Sequence, residues 1–220
     1  MNSPKLNVKG MLFDLDGTIL DTKPAYIETA KIVFKETGQQ PPEVEVALEI
    51  PKRIEQRQPL SDLVTIDVSE FMRVYLKTFY VVSASRTKPF PQVAATLETL
   101  AHRAKLSVIT MRFVPKNSVV KELEQFHLSK YFAHVVTALD THKPKPSPEA
   151  LVKAVAAMDV QMCECVIVGD SVIDVKAGKA AGITTVAVLT GLYSRAELEK
   201  AEPNFIINDI SELPEIIECR

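Results

Sequence analysis

Residues 13–21, close to the start of the sequence, read Phe13-Asp14-Leu15-Asp16-Gly17-Thr18-Ile19-Leu20-Asp21 and are its most informative stretch. The apolar run Met11-Leu12-Phe13 at its start predicts the end of a buried strand. Because side chains two apart on a strand point to the same side, Asp14 and Asp16 are expected to leave it in one direction. Gly17 lets the chain turn sharply after them. Open α/β sheets bind ligands at the C-terminal ends of their strands, so this stretch is a candidate reaction centre.

The same residues also fit a simpler interpretation, since Asp and Gly favour ordinary turns. Two neighbouring carboxylates repel each other, however, and such a pair usually indicates a cation or a shared proton. The rest of the chain decides between these two interpretations.

The composition is that of an ordinary globular protein. The chain has 220 residues, of which 46% are hydrophobic and 25% charged, and its formal net charge is -2. This charge gives no electrostatic case for nucleic acid or an anionic membrane as a partner. No apolar stretch approaches a membrane span, and residues 1–9 lack a signal-peptide core. The cysteines suggest neither a disulfide framework nor a zinc site, so we expect a cytoplasmic location; they are Cys163, Cys165 and Cys219.

Apolar runs at wide spacing predict the strands of a parallel sheet. Several are continuously apolar, as expected for strands that are covered on both faces. Helical patterns separate them, and Ser147-Pro148-Glu149 predicts a helix with Ser147 as N-cap. This alternation predicts an α/β fold with a Rossmann-like, doubly wound parallel sheet. The predicted strands are 10–13, 106–110, 134–137, 165–168, 184–188 and 205–207.

Residues 22–88 interrupt the alternation. They contain no convincing strand, and residues 24–38, 44–50 and 69–82 show helical spacing, divided by prolines that include Pro51. We therefore predict an α/β core of residues 1–21 and 89–220 and an inserted helical cap domain of residues 22–88, placed to lie over the strand ends. The alternative is a first crossover that has simply grown long.

A second acidic stretch, Gly169-Asp170-Ser171-Val172-Ile173-Asp174, follows another predicted strand. Asp170 is expected at that strand's C-terminal end. Asp174 lies three residues after Ser171, so stabilisation of a helix start is its alternative role. Four carboxylates on neighbouring strand ends predict a hard cation, and oxygen ligands favour Mg²⁺; they are Asp14, Asp16, Asp170 and Asp174.

Two further residues are candidates for binding an anion. Thr110 ends a predicted strand, where its hydroxyl can donate to an anion, although Thr is also simply a good strand former. Lys143 lies in the loop His142-Lys143-Pro144-Lys145-Pro146, whose prolines restrict the backbone. A fixed ammonium there would neutralise a phosphate or neighbouring carboxylates. The alternative is a solvated basic loop, and spacing alone does not choose between Lys143 and Lys145.

These blocks, in the order 14–18, Thr110, Lys143 and 169–174, resemble those of the haloacid dehalogenase superfamily. With the helical insertion, the resemblance to the phosphoglycolate phosphatase-like branch, which carries a helical C1 cap, covers essentially the whole chain. The resemblance implies a Mg²⁺-dependent phosphomonoester hydrolase that works through an aspartyl-phosphate.

The resemblance also implies roles for individual acids. Asp14 resembles the nucleophile, which is also a metal ligand in such proteins. Asp16 resembles the general acid and base, whose backbone carbonyl is a metal ligand in such proteins. Asp170 resembles a direct metal ligand.

The remaining blocks resemble the groups that hold the phosphate. Thr110 and Lys143 resemble the pair that binds the transferring phosphoryl group, with Thr18 as a further phosphate-binding residue. Gly169 and Asp174 resemble supporting residues of the metal site.

The sequence departs from the family pattern at two positions. Met111 stands where many members carry Asn, which removes one phosphate contact unless Arg112 compensates. Gln92 stands where relatives often have Gly. In the predicted cap, Arg53 and Arg57 are candidates for recognising a substrate carboxylate or phosphate, and solvated surface arginines are the alternative.

The resemblance favours a small phosphate ester as partner, with 2-phosphoglycolate as the leading substrate. The alternatives are a β-phosphoglucomutase-like phosphomutase, and a phosphatase acting on sugar phosphates, nucleotides or pyrophosphate. A dehalogenase is not favoured, because a halide needs no proton from Asp16. A non-enzymatic binding protein on this fold has only Met111 as a hint in its favour. We expect a monomer or homodimer.

Overall fold

The computed structural model describes residues 6–218, and Cys219 is among the residues outside this range. The strands are β1 (Leu6–Asn7), β2 (Gly10–Phe13), β3 (Leu20–Asp21), β4 (Lys88–Pro89), β5 (Lys105–Ile109), β6 (Phe132–Val136), β7 (Cys165–Gly169), β8 (Thr184–Val188), β9 (Phe205–Ile207) and β10 (Ile217–Glu218). The α-helices are α1 (Lys23–Glu36), α2 (Val44–Gln56), α3 (Val68–Arg86), α4 (Val93–Ala101), α5 (Lys116–Gln125), α6 (Glu149–Met158), α7 (Val172–Ala181), α8 (Arg195–Glu199) and α9 (Leu213–Ile216).

Six of these strands form one parallel sheet in the order β6-β5-β2-β7-β8-β9. The chain starts in the middle with β2, builds outward to β6, and then returns to build β7, β8 and β9 on the other side. The strand order therefore reverses between β2 and β7, which is where open α/β sheets form their ligand crevice. This arrangement confirms the predicted doubly wound parallel sheet.

The continuous apolar runs arise because both faces of the central strands are buried. Along β2, Met11 and Phe13 pack into one hydrophobic cluster and Leu12 into another. Along β7, Val166 and Ile167 divide in the same way. Alternate side chains point to opposite faces of the sheet, so a strand that is buried on both faces needs an apolar residue at every position.

The start of α6 differs slightly from the prediction. The N-cap is Pro148 rather than Ser147, and no side chain caps the helix. The Ser147 hydroxyl instead accepts a hydrogen bond from the backbone N–H of Glu149 at 3.3 Å. The signal for a helix start was therefore correct, but its register was wrong by one residue.

The described residues divide into two compact units, of which one is Asp21–Lys88 and the other contains the large sheet. In Asp21–Lys88, helices α1, α2 and α3 enclose a hydrophobic core that includes Phe34, Ile50, Phe71 and Tyr75.

Helix α2 runs through Pro51, although the sequence analysis expected this proline to divide two helices. A proline inside a helix removes one backbone hydrogen bond. Its neighbours Ala47 and Ile50 are fully buried, and Pro51 itself is buried. Apolar packing on this face therefore keeps the helix continuous through the proline.

None of the helices within residues 6–218 combines the length and the apolar character needed to span a bilayer.

Candidate active site

Asp14 lies at the centre of the reversal point, directly after β2. Its backbone N–H donates to the carbonyl of Val168 at 2.9 Å, which continues the pairing with β7 by one residue. The side chain is buried, and its Oδ1 accepts a hydrogen bond from Nζ of Lys145 at 2.5 Å. The pairing with β7 therefore fixes the backbone of Asp14, and the bond to Lys145 fixes its carboxylate.

Two further carboxylates come from the end of β7 and the start of α7. Asp170 is buried, and its Oδ1 accepts a hydrogen bond from the Thr18 hydroxyl at 3.1 Å. Asp174 forms a capping box with Ser171, whose hydroxyl donates to Asp174 Oδ2 at 2.6 Å. Its other oxygen, Oδ1, accepts from Lys145 Nζ at 2.6 Å. Asp174 therefore caps the helix and also lies beside Lys145 in the cluster of acids.

The side chains of Asp14, Asp170 and Asp174 each offer an oxygen, and these three atoms lie within 4.8 Å of one another. The ammonium of Lys145 bonds to two of these three buried carboxylates, those of Asp14 and Asp174. Buried like charges at this spacing are unfavourable unless a cation balances them. Carboxylate oxygens are ligands of hard divalent cations, so the donor set and the charge both fit Mg²⁺.

Lys145, and not Lys143, is the lysine that the structure brings to this cluster. Its side chain is 2% exposed, and besides the two aspartates its Nζ donates to the carbonyl of Ile109 at 3.3 Å. Lys143 is exposed, and its backbone N–H donates to Glu149. The choice of Lys143 from the sequence is therefore corrected to Lys145, the alternative in the same loop.

Glu149, a residue that the sequence analysis did not select, holds this loop in place. Its carboxylate accepts backbone N–H bonds from His142 and Lys143, each at 3.0 Å. These bonds lower the pKa of Glu149 to about 2. Because Glu149 is the first residue of α6, the helix anchors the loop that delivers Lys145.

The contacts of Asp14 and Lys145 govern their ionisation. Burial raises the pKa of Asp14 well above its usual value, and Lys145 opposes this shift while Asp174 and Asp16 add to it. Burial alone would lower the pKa of Lys145, but the ion pairs with Asp14 and Asp174 outweigh it and raise the pKa. Lys145 is therefore a permanent cation, and Asp14 needs positive charge nearby to remain ionised.

Thr110 is buried at the end of β5, where its backbone N–H donates to the carbonyl of Val136 at 3.0 Å. Its hydroxyl oxygen accepts a hydrogen bond from the backbone N–H of Arg112 at 3.1 Å. Thr110 thus lies at the same edge of the sheet as Asp14, since β5 is the neighbour of β2.

The side chain of Asp16 has different partners from the other acids. Both of its oxygens accept hydrogen bonds from the guanidinium of Arg112. Arg112 was considered from the sequence only as a substitute phosphate contact beside Met111. In the structure its guanidinium binds two carboxylates, those of Asp16 and Glu122.

Glycines allow the acids to approach closely. A Cβ on Gly17 would lie 2.6 Å from Asp170 Oδ2, and one on Gly169 would lie 2.3 Å from Asp174. Gly191, in the loop after β8, is tighter still, because its Cβ would lie 1.6 Å from Asp170 Oδ2. The neighbouring Thr190 hydroxyl donates to the carbonyl of Gly17 at 2.5 Å. The sequence analysis missed this loop, although a Gly after a predicted strand could have drawn attention to it.

The other residues singled out from the sequence have local roles. Arg53 donates to Glu49 at 3.0 Å and to Asp62 at 2.5 Å within its own helical unit. Arg57 ends α2 in a left-handed conformation with φ of 56°. Gln92 precedes α4 as its N-cap and is exposed.

The fold and the site together define an α/β enzyme with an acidic, metal-compatible centre at the reversal point of its sheet. The model of the haloacid dehalogenase-like hydrolase family matches residues 11–188. The chain belongs to this family and is a hydrolase, which confirms the resemblance recognised in the sequence.

Individual relatives cover nearly the whole chain. A protein named pyrophosphatase PpaX from Anoxybacillus flavithermus is 30% identical over 96% of this chain and 98% of its own. A phosphoglycolate phosphatase from Vibrio parahaemolyticus is 28% identical over 96% of both chains. The solved structure of a haloacid dehalogenase-like hydrolase from Streptococcus pneumoniae superposes with a TM-score of 0.81 at 20% identity, covering 94% of this chain and 97% of its own.

The anchoring role of Glu149 predicts a pH-dependent effect of Glu149→Gln. Because the pKa of Glu149 is lowered from 4.5 to about 2, its contribution to stability is present above pH 4.5 and is lost as the pH falls through about 2. We expect the variant to be less stable than the wild type at neutral pH, with the difference disappearing under strongly acidic conditions. Denaturant unfolding at a series of pH values measures this difference.

We also expect Glu149→Gln to lower turnover several-fold, because the loop that carries Lys145 loses one of its two acceptors. Glu98→Gln, an exposed change on α4, is the matched control. An unchanged stability profile with unchanged turnover would show that Glu149 does not anchor the loop.

Proposed function

We propose that this chain hydrolyses small phosphate monoesters in two steps, through a phosphoryl group held transiently on Asp14. The observation that carries the proposal is the environment of Asp14. Its buried carboxylate lies 2.5 Å from a permanently charged lysine and within reach of two further metal-compatible acids. This combination suits attack on an anionic phosphate, since a carboxylate alone is repelled by it.

In the first step, a carboxylate oxygen of Asp14 forms a bond to phosphorus while the bond from phosphorus to the leaving oxygen breaks. Asp16 must enter this step protonated, with the proton on an oxygen that has left its bond to Arg112. It gives this proton to the leaving oxygen, so the product departs as an alcohol. Asp16 lies two residues after Asp14, beyond the same strand end.

In the second step, the oxygen of a water molecule forms a bond to phosphorus, and the bond between phosphorus and Asp14 breaks. Asp16, left as a carboxylate by the first step, takes the proton of this water. Inorganic phosphate leaves, and both aspartates return to their starting states.

Lys145 and Thr110 hold the transferring phosphoryl group in this proposal. Lys145 supplies a fixed positive charge beside Asp14, and Thr110 supplies a hydroxyl at the neighbouring strand end. Thr18, also predicted to bind phosphate, donates its hydroxyl to Asp170, so we assign it to the support of that acid.

Asp14, Asp170 and the backbone carbonyl of Asp16 would hold Mg²⁺, with Asp174 and Gly169 in support. The ion would supply positive charge that offsets the repulsion between the carboxylate and the phosphate. The close approach of three buried carboxylate oxygens, within 4.8 Å of one another, supports this assignment.

For the substrate, 2-phosphoglycolate is the first candidate and pyrophosphate the second. Relatives with 28% to 30% identity over nearly the whole chain carry the names of both activities. The two substrates differ in their leaving groups. Glycolate leaves from 2-phosphoglycolate as an alcohol that needs a proton, whereas phosphate leaves from pyrophosphate as a stabilised anion.

Release of inorganic phosphate from a panel of phosphate esters and pyrophosphate tests the proposal, with Mg²⁺ and with a chelator. The panel contains 2-phosphoglycolate, pyrophosphate, sugar phosphates and nucleotides. We expect release that depends on Mg²⁺, falls to background with chelator, and is led by one of the two candidates. No release from any member would overturn the proposal, and isomerised product with little free phosphate would indicate a phosphomutase.

A further inference from the structure

Arg112 is buried, at 7% exposure, and its guanidinium joins two acids of the α/β unit. Its Nε donates to Asp16 Oδ2 at 2.8 Å and its Nη2 to Asp16 Oδ1 at 2.6 Å. Its remaining terminal nitrogen, Nη1, donates to Oε2 of Glu122. A two-bond contact between arginine and carboxylate fixes the plane of the carboxylate as well as its position.

The chain holds Arg112 in place from its backbone as well. Its N–H donates to the hydroxyl of Thr110 at 3.1 Å, and its carbonyl accepts from the N–H of Ala138 at 3.2 Å. Glu122 comes from α5, the helix that follows this loop. The contact with Asp16 therefore links two neighbouring strand ends through side chains that have little freedom to move.

The ion pairs keep Arg112 charged despite its burial. Burial by itself would lower its pKa, but the two acids outweigh this and raise it, Asp16 more than Glu122. One cation is thus shared between two carboxylates. Glu122 also has a buried second oxygen, Oε1, with no hydrogen-bond partner among the described residues. Such an arrangement is unfavourable for stability alone, which favours a role in positioning.

We infer that Arg112, aimed by Glu122, is a positioning residue that orients the carboxyl group of Asp16 for proton transfer to the leaving oxygen. This inference rests on the proposed function, in which Asp16 is the proton donor. Both oxygens of Asp16 accept bonds from the guanidinium, so one of these bonds must break before the freed oxygen can carry a proton to the leaving group. The other bond then keeps the carboxyl plane aligned.

This role makes the importance of Arg112 depend on the leaving group. A poor leaving group such as the alcohol of 2-phosphoglycolate needs the proton, and therefore needs Asp16 in the correct orientation. The phenol of 4-nitrophenyl phosphate is acidic and leaves with little assistance. A purely structural arginine would affect both substrates equally.

The test compares kcat/KM for these two substrates, because this quantity reports the steps up to cleavage of the ester bond. We expect Arg112→Met to lower kcat/KM about 30-fold for 2-phosphoglycolate and no more than about 3-fold for 4-nitrophenyl phosphate. Arg112→Lys keeps the charge without the two-bond contact, so its loss should be intermediate and show the same selectivity. Arg103→Met is the matched control, because the Arg103 guanidinium donates at 3.2 Å to a backbone carbonyl, that of Pro214, rather than to a carboxylate.

Glu122→Gln keeps both Asp16 and Arg112, and it decides the matter if Arg112→Met does not fold. We expect this variant to show the same preference for the better leaving group, with a smaller loss. Equal losses on both substrates, or no loss, in the folded variants would overturn the inference. Absence of wild-type activity on these two substrates and on every member of the panel would instead overturn the proposed function, so the two failures are distinguishable.

Discussion

Asp14→Asn should abolish phosphate release, lowering turnover by at least about 10⁴-fold while the protein remains folded. The amide has the shape of the carboxylate but cannot attack phosphorus to form the covalent intermediate. Lys145 keeps Asp174 as its partner, and a buried cluster of like charges loses one member, so the fold does not depend on this charge.

Phosphate release measures the activity of this variant, and a thermal melt shows whether it is folded. Intact-protein mass spectrometry after rapid acid quenching adds a direct test, because the wild type should carry one phosphoryl group and the variant none. Asp159→Asn is the matched control, since Asp159 is exposed in a left-handed conformation that Asn also adopts readily. Turnover retained by Asp14→Asn would remove the covalent mechanism.

The sequence predicts the sheet well because its strands are buried on both faces. Such strands carry an apolar residue at nearly every position, and three of them, β2, β8 and β9, have the predicted bounds. The first acidic stretch and the stretch after β7 are equally visible, because both combine a buried strand, a Gly and carboxylates. Local patterns of this kind require no knowledge of which strands become neighbours.

The choice between two lysines is an example of what local sequence patterns do not predict. Lys143 and Lys145 lie two residues apart in one proline-rich loop, and both fit the same local description. Their different burial is decided by Glu149, whose carboxylate binds the backbone at His142 and Lys143 and so directs the following residues inward. A contact between a helix start and a loop carries no periodic signal.

The bond from Arg112 to Asp16 and the place of Gly191 beside Asp170 were not predicted for a different reason, since both depend on the strand order. Arg112 follows β5 and binds Asp16 after β2, which is the neighbouring strand. Gly191 follows β8 and contacts Asp170 after β7, again its neighbour in the sheet. Such roles become visible only when the sheet has brought distant parts of the chain together.

The position of Gly191 makes Gly191→Ala the second change with a large expected effect. An alanine Cβ there would lie 1.6 Å from Oδ2 and 2.2 Å from Cγ of Asp170, far inside van der Waals contact. Asp170 is also hydrogen-bonded to Thr18 and buried, so it cannot simply turn away. The carboxylate or the loop after β8 must therefore shift, and a shift of about 1 Å at a catalytic centre can lower the rate about 100-fold.

We expect Gly191→Ala to lower turnover about 100-fold or more and to raise the Mg²⁺ concentration needed for half-maximal activity. Gly182→Ala is the control, because Gly182 has a left-handed φ of 69° but no atom near its would-be Cβ. That change strains the backbone, so it should reduce stability while leaving the Mg²⁺ requirement unchanged.

The double variant Gly191→Ala/Asp170→Ala separates the clash from the loss of the ligand. Removing the Asp170 carboxylate makes room for the new methyl group, so the double variant should be more stable than Gly191→Ala alone and should still be inactive. If Gly191→Ala kept both the wild-type turnover and the wild-type Mg²⁺ titration, the close approach of Gly191 would have no part in holding Asp170. Recovered stability without recovered activity would show that Gly191 is needed to leave room for Asp170, and that Asp170 is needed for turnover.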